Sequence, residues 1–171
     1  YSGSAGASIY PTPDGCHRIR NKSNGLVAQL NSTFGNAVNE FRIAYTRVRD
    51  RRAGQDFESK PFPRVTVRLA SGIQITVGRE NFSAANELDQ DIIELHDDYT
   101  VLKGRHTITI GTHNEFFQFR NLFIRDNFGT YTFNSLSFFD QGLAQQFDYS
   151  FPTNPAKPSA EFGVRTLGFY V

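Results

Sequence analysis

Glu94, His96 and His113, with Asp98 and Glu115 nearby, are the residues of this chain whose types could do chemistry. Imidazoles and a carboxylate together offer the nitrogen and oxygen donors that suit a divalent metal. They must first share a face. His96 is two residues from Glu94, so an extended strand puts both on one side, and His113 joins them if its strand pairs with theirs. His106 has the opposite parity and stays apart. The spacing matches no tight metal motif, and histidines and carboxylates on a strand wall are more often solvated or bonded to neighbouring strands. The expectation is a polar cluster of Glu94, His96 and His113 that holds no metal.

Hydrolytic chemistry has less support. Neither GxSxG nor HExxH occurs. Asp97 and Asp98 are adjacent, so in a strand they point to opposite faces and do not share an acid/base site for glycoside hydrolysis. No enzymatic activity and no cofactor is expected. A metal-assisted hydrolase around Glu94 and His113 stands as a third reading.

Hairpins must position these residues. In LVAQLNSTF, Leu26, Ala28, Leu30 and Phe34 alternate with Val27, Gln29, Asn31 and Thr33. Gly35-Asn36 can supply the positive φ angles of a two-residue turn. The returning AVNEFRIAYTRV puts Phe41, Ile43 and Tyr45 on one side and Glu40, Arg42, Ala44 and Thr46 on the other. Leu30 then faces Phe41, Ala28 faces Ile43 and Leu26 faces Tyr45, while Asn31 meets Glu40 and Gln29 meets Arg42. Apolar meets apolar and polar meets polar, as a correct register requires. A second hairpin, QDIIELHDDYTVL, turns at Lys103-Gly104 and returns as RHTITIGTHNEFF. Tyr99 pairs with Ile108, Leu95 with Thr112, Glu94 with His113 and Asp98 with Thr109. Asp97 shares the parity of Ile93, Leu95, Tyr99 and Val101, so either a bulge shifts the strand or the carboxylate sits near an aqueous boundary.

The organisation that follows is a loop over 1–20, a hairpin over 21–48, a long loop over 49–87 with a small hairpin at 64–78, a hairpin over 88–118, a long loop over 119–161, and the start of a strand at 162–171. The small hairpin, RVTVRLASGIQITVG, carries its apolar residues at odd positions around Ala70-Ser71-Gly72. The second long loop contains GTYTF, the helix-compatible SLSFFDQGLA and the Pro-rich FPTNPAKPS. Its aromatic and polar residues Phe123, Arg125, Tyr131, Phe133, Phe138 and Phe139 could stack on a sugar or clamp a peptide. The plainer reading is that most of them pack the loops together.

At 171 residues the chain fits one domain. It is 39% hydrophobic and 14% aromatic, Phe-rich, and without Met or Trp. Such a mix suits β structure with one apolar side better than a thick core. The net charge of +1 gives no field toward nucleic acid, and Arg47, Arg49, Arg51 and Arg52 sit near Glu40, Asp50 and Asp56 rather than forming a polybasic patch. Cys16, the only cysteine, excludes an internal disulfide and a cysteine-based zinc site and reads as a bystander. No run of about 18 apolar residues could form a transmembrane helix, and no signal peptide is seen. The first residues resemble mid-loop sequence and the last ones a strand in progress, so the chain reads as a piece of something longer.

Two-residue turns join the strands at one end and long elaborate segments at the other. That alternation is the mark of outer-membrane barrels, whose short turns face the periplasm. The strands also reach the roughly 9–11 residues that cross a bilayer when tilted. The expected fold is all-β, an antiparallel up-and-down meander from a transmembrane β-barrel. Its apolar face would touch lipid, and Gln29, Asn31, Glu40, Arg42, Glu94, His96, Asp98 and His113 would line a polar lumen. Phe34 and Tyr99 toward the turns, and Tyr45, Phe116, Phe117 and Phe119 toward the loops, would form interfacial girdles. The alternative is a soluble secreted β-rich binding or adhesion module whose aromatics form a core.

NEFRIAYTRVRDRR, FPRVTV and ENFSAANELDQDIIELHDDYTVLKGRHTITIGTHNEFFQFRNLF together resemble the barrel of TonB-dependent outer-membrane receptors, most of all the Oar-like, carboxypeptidase-regulatory-like-domain-containing branch. GTYTFNSLSFFDQGLA and LGFYV are similar to the family's long loop and following strand, so the likeness runs from about Asn21 onward. It implies a bacterial outer-membrane location and a barrel of about 22 strands, plugged by a further domain and energised through the TonB system. It also implies ligand capture and uptake. The implied partners are the remainder of the barrel and plug, the TonB system, other chains of an outer-membrane complex and outer-membrane lipid, with no nucleic acid. The chain departs from the pattern by omission: it shows no plug and no TonB-contact segment. Its five or so long strands fall short of even the smallest closed barrels, which use about 8.

Overall fold

The structure is a computed structural model that describes residues 17–54 and 62–171. The expected loop ahead of His17, Cys16 included, lies outside the described residues.

Five long strands, β1 (His17–Phe34), β2 (Ala37–Gly54), β5 (Asn86–Lys103), β6 (His106–Phe123) and β9 (Ala160–Tyr170), form one sheet in the order β1-β2-β5-β6-β9. The fold is all-β and the sheet an antiparallel meander, open at β1 and β9 among the described residues. The strands run longer than the sequence pattern suggested. The first hairpin spans 17–54 rather than 21–48, and the second spans 86–123 rather than 88–118.

The first turn lies at Gly35-Asn36, as expected. The second lies at Gly104-Arg105, one residue beyond the expected Lys103-Gly104. The reason is in the backbone. Gly35 has φ +59° and Gly104 φ +62°, while among the described non-glycine residues a positive φ occurs at Asp126. A positive first residue followed by a negative second is the type II′ pattern, in which Gly takes the first place.

Moving that turn by one residue slides the hairpin register by two. Each side chain keeps its predicted face but changes its partner. Thr100 and Thr109 hydroxyls meet at 2.9 Å, and the His96 and His113 rings lie 5.7 Å apart. Counted from the turn, His96 therefore faces His113, Glu94 faces Glu115, Tyr99 faces Ile110, Leu95 faces Asn114 and Asp98 faces Gly111. The expected pairs Glu94 with His113, Tyr99 with Ile108, Leu95 with Thr112 and Asp98 with Thr109 are replaced.

No bulge explains Asp97. Tyr45 bonds Asp91 and Asn39 bonds Asp97, so both strands advance by six residues between these contacts. The carboxylate stays on the apolar-parity face and accepts a hydrogen bond from Asn39 Nδ2 at 2.5 Å.

The chain divides into two units. One, made of 21–50, 88–121 and 160–171, is the body of the long sheet. Among its described residues, the buried apolar side chains are Ala37 and Ala44. A sheet of this length with no large buried side chain has no protein core of its own.

The other unit contains a four-stranded sheet in the order β4-β3-β7-β8, with β3 (Arg64–Arg68), β4 (Gln74–Val77), β7 (Thr130–Phe133) and β8 (Gln146–Asp148). β3 and β4 form the small hairpin, Val65 opposite Val77 and Val67 opposite Ile75, around a 3₁₀ turn at Ala70–Gly72. β7 adds in parallel, so Val65 faces Tyr131 and Val67 faces Phe133. The two long connections thus fold into one sheet, which alternation within either one does not announce. Helix α1 (Leu136–Asp140) starts at Ser135, whose hydroxyl accepts the Phe138 N–H, and Phe139 packs edge-on to Phe133 at 5.2 Å. Val67 and Phe133 are its buried apolar centre.

Candidate functional site

Glu94, His96 and Asp98 on β5 share a face with His113 and Glu115 on β6 and with Tyr170 on β9, because alternation and the observed register leave no other placement. The three predicted residues come together, but not as one group. His96 Nε2 lies 2.8 Å from the Tyr170 hydroxyl and 3.3 Å from Asp98 Oδ2, and the same hydroxyl donates to Asp98 Oδ1. His113 Nε2 turns instead to Glu115 Oε1 at 3.6 Å. One ligand atom from each of Glu94, His113 and Glu115 lies within 4.8 Å of the others. Sequence reasoning missed Tyr170. It reaches the cluster only through the β6–β9 pairing, which sets Tyr170 opposite Gly111, and the one available signal was the alternation of LGFYV. His106 opens β6 at the turn with the opposite parity and does not join.

The other face of the sheet is different. Leu26, Leu30, Phe34, Phe41, Ile43, Tyr45, Ile93, Tyr99, Ile108, Ile110, Leu167 and Phe169 all have its parity and are all exposed, Leu26 and Phe169 by 70% and 79%. Covering a side chain of this size is worth about 1.5–3 kcal/mol, and within the chain that stabilisation is unmade. Toward the long connections the same face turns ionic. Arg49 Nη2 bonds Asp91 at 2.6 Å and Arg49 Nε lies 3.7 Å from Asp89, which Arg120 also meets at 3.2 Å. Strands of 18 residues exceed what a tilted bilayer crossing needs. The halves near the turns therefore carry the apolar band and the halves beyond it carry charge.

Residues 4–171 match the family model described as outer membrane beta barrel domain. The chain belongs to this family. Comparison with curated proteins found no match, and neither did comparison with solved structures. As an outer-membrane β-barrel chain, the protein is located in the bacterial outer membrane. In barrels of this kind the apolar face of the wall meets lipid and the polar face lines the lumen. The soluble-module alternative is thereby set aside. Tyr45 and Phe116 mark the boundary between apolar band and charge, where barrel girdles lie, and Phe34 and Tyr99 lie toward the turns. Phe117 and Phe119, expected in that girdle, have lumen parity instead. Phe119 stacks on Phe117 at 5.8 Å and on Phe162 at 5.1 Å.

The loop aromatics separate. Phe133 is a core residue, 7% exposed. Tyr131 packs tilted on Phe147 at 4.4 Å, Phe147 stacks on Tyr149 at 6.1 Å, and the row ends at Phe151, tilted 5.8 Å from Tyr149. Arg125 lies over the Phe82 ring at 5.3 Å and pairs with Asp126 at 2.9 Å. Phe123, Phe138 and Phe139 keep about half their surface exposed. Sequence reasoning missed Phe147, Tyr149 and Phe151, which are also about half exposed or more. Their spacing of two was the available signal.

Proposed function

We propose that the chain supplies wall and extracellular loops to a TonB-dependent outer-membrane receptor of the Oar-like branch, which captures a ligand outside and admits it through the lumen. The observation that carries this reading is the folded unit built by the long connections, which presents an aromatic row from the half-buried Tyr131 through the exposed Phe147 and Tyr149 to Phe151. Receptors that only seal a membrane need no such structure on their long loops, whereas rings held in a row suit stacking on a sugar or a flat ligand. Sequence resemblance over 21–171 supports the same branch.

The reading includes three partners. Among the described residues, β1 and β9 each present an unpaired edge, and in lipid every unpaired backbone group costs several kcal/mol. Further barrel strands would cover those edges, a plug would occupy the lumen, and the TonB system would act through the plug. The proposal contains no catalytic step. His96 and Asp98 are engaged with each other and with Tyr170, which suits a wall better than a proton-transfer centre.

The test uses the intact outer-membrane protein in detergent, presented with the periplasmic domain of TonB. Saturable binding that is lost when the protein's plug-side contact segment is deleted supports the reading. No binding would remove TonB dependence and leave the barrel assignment standing.

A further inference from the structure

We propose that Glu94, His113 and Glu115 form a binding site for a divalent transition-metal ion on the lumen wall. The observed register makes this site, since it sets Glu94 opposite Glu115 rather than opposite His113. Two carboxylates directly across a strand pair repel each other, and such pairs are destabilising unless something lies between them. Among the described residues, Arg42, which the β2–β5 register sets opposite Glu94 on its other side, makes no ion pair or hydrogen bond with it. Glu94 has no hydrogen bond or ion pair with any described residue, and Glu115 has one neighbour of either kind, His113. A divalent cation between the carboxylates converts that repulsion into two attractions.

The donor set decides the class of ion. Two carboxylate oxygens and one imidazole nitrogen suit zinc, manganese or iron(II) better than calcium, which takes six to eight oxygens. The donors fall within 4.8 Å of one another. Metal–ligand bonds of about 2.0–2.2 Å place donors roughly 3–4 Å apart, so the widest donor separation closes by about 1–2 Å, which torsions of partly exposed residues supply. His96 does not complete the set. Asp98 and Tyr170 hold its Nε2, so three protein ligands leave open positions for water or for an anionic group of a passing ligand. The site rests on the lumen assignment, not on TonB dependence, so the two fail separately.

The test uses the intact outer-membrane protein, purified in detergent, stripped with a chelator and titrated with zinc, manganese and calcium ions by calorimetry. The expected result is one transition-metal ion per chain, no saturable calcium binding, and affinity lowered about tenfold or more by Glu94→Gln and by His113→Gln. His96→Gln should retain binding. His113 is 46% exposed on its side chain, so its variant should fold even if Glu94→Gln does not. Absence of saturable binding overturns the site, as does binding that Glu94→Gln and His113→Gln leave unchanged.

Discussion

Tyr170 of β9 lies directly opposite Gly111 of β6, its ring filling the place where a side chain would stand and its hydroxyl donating to Asp98. A Cβ at position 111 would come within 2.5 Å of Tyr170 Cζ and would also meet the Asp98 carboxylate. Gly111→Ala should therefore destabilise the sheet by about 1–3 kcal/mol, the usual cost of overpacking. Removing the ring should relieve it. The double variant with Tyr170→Ala should lose clearly less than the sum of the two single losses. Urea unfolding of the intact protein in bilayers measures all three, and strictly additive losses would show that ring and glycine are not coupled.

How far the sequence carries this fold can be judged from such pairs. Alternation alone assigned Glu94, His96 and His113 to one face and Ile43 and Tyr45 to the other, because a period of two is insensitive to where the turn falls. Partners are sensitive to it. The sequence offers Gly104 beside two basic residues, Lys103 and Arg105, and composition does not say which completes the turn. The parallel pairing of β3 with β7 was hidden for another reason. It joins residues far apart in the chain, and alternation within each strand does not name a partner in the other. Tyr170 was invisible on the same ground, being placed by β9 against β6.

A direct measurement distinguishes the observed register from the one the sequence suggested. In a Cys16→Ser background, Thr100→Cys with Thr109→Cys should oxidise readily, since these side chains meet across the strands. Thr100→Cys with Thr107→Cys should not, because a diagonal pair stands about 7–8 Å apart and exceeds the Cβ separation a disulfide spans. Mobility on non-reducing gels reads the outcome. Preferential oxidation of the second pair would restore the turn to Lys103-Gly104.

The two faces should answer differently to charge. Ile43 lies on the lipid face, between the turn and the ionic stretch at Arg49, so Ile43→Arg should cost about 2–4 kcal/mol, as charge near the midplane does in barrels. Thr109→Arg has lumen parity and should change stability by under about 1 kcal/mol. The readout is the urea midpoint of the intact protein in bilayers. Equal losses would mean that the faces are wrongly assigned.

The folded unit on the long connections has its own anchor in Phe133, buried against Phe139 beside Val67. Truncating a buried Phe typically costs about 3–5 kcal/mol, which exceeds what so small an assembly can spare. Phe133→Ala should therefore open residues 62–87 and 122–159 to limited proteolysis. Phe151→Ala removes a ring that is 68% exposed at the end of the aromatic row, and its effect on stability should stay within about 0.5 kcal/mol. The contrast separates two roles for aromatics that the sequence could not tell apart: Phe133 holds the unit together, and Phe151 is free to meet a ligand. Protease resistance unchanged in Phe133→Ala, or lost in Phe151→Ala, would reverse those roles.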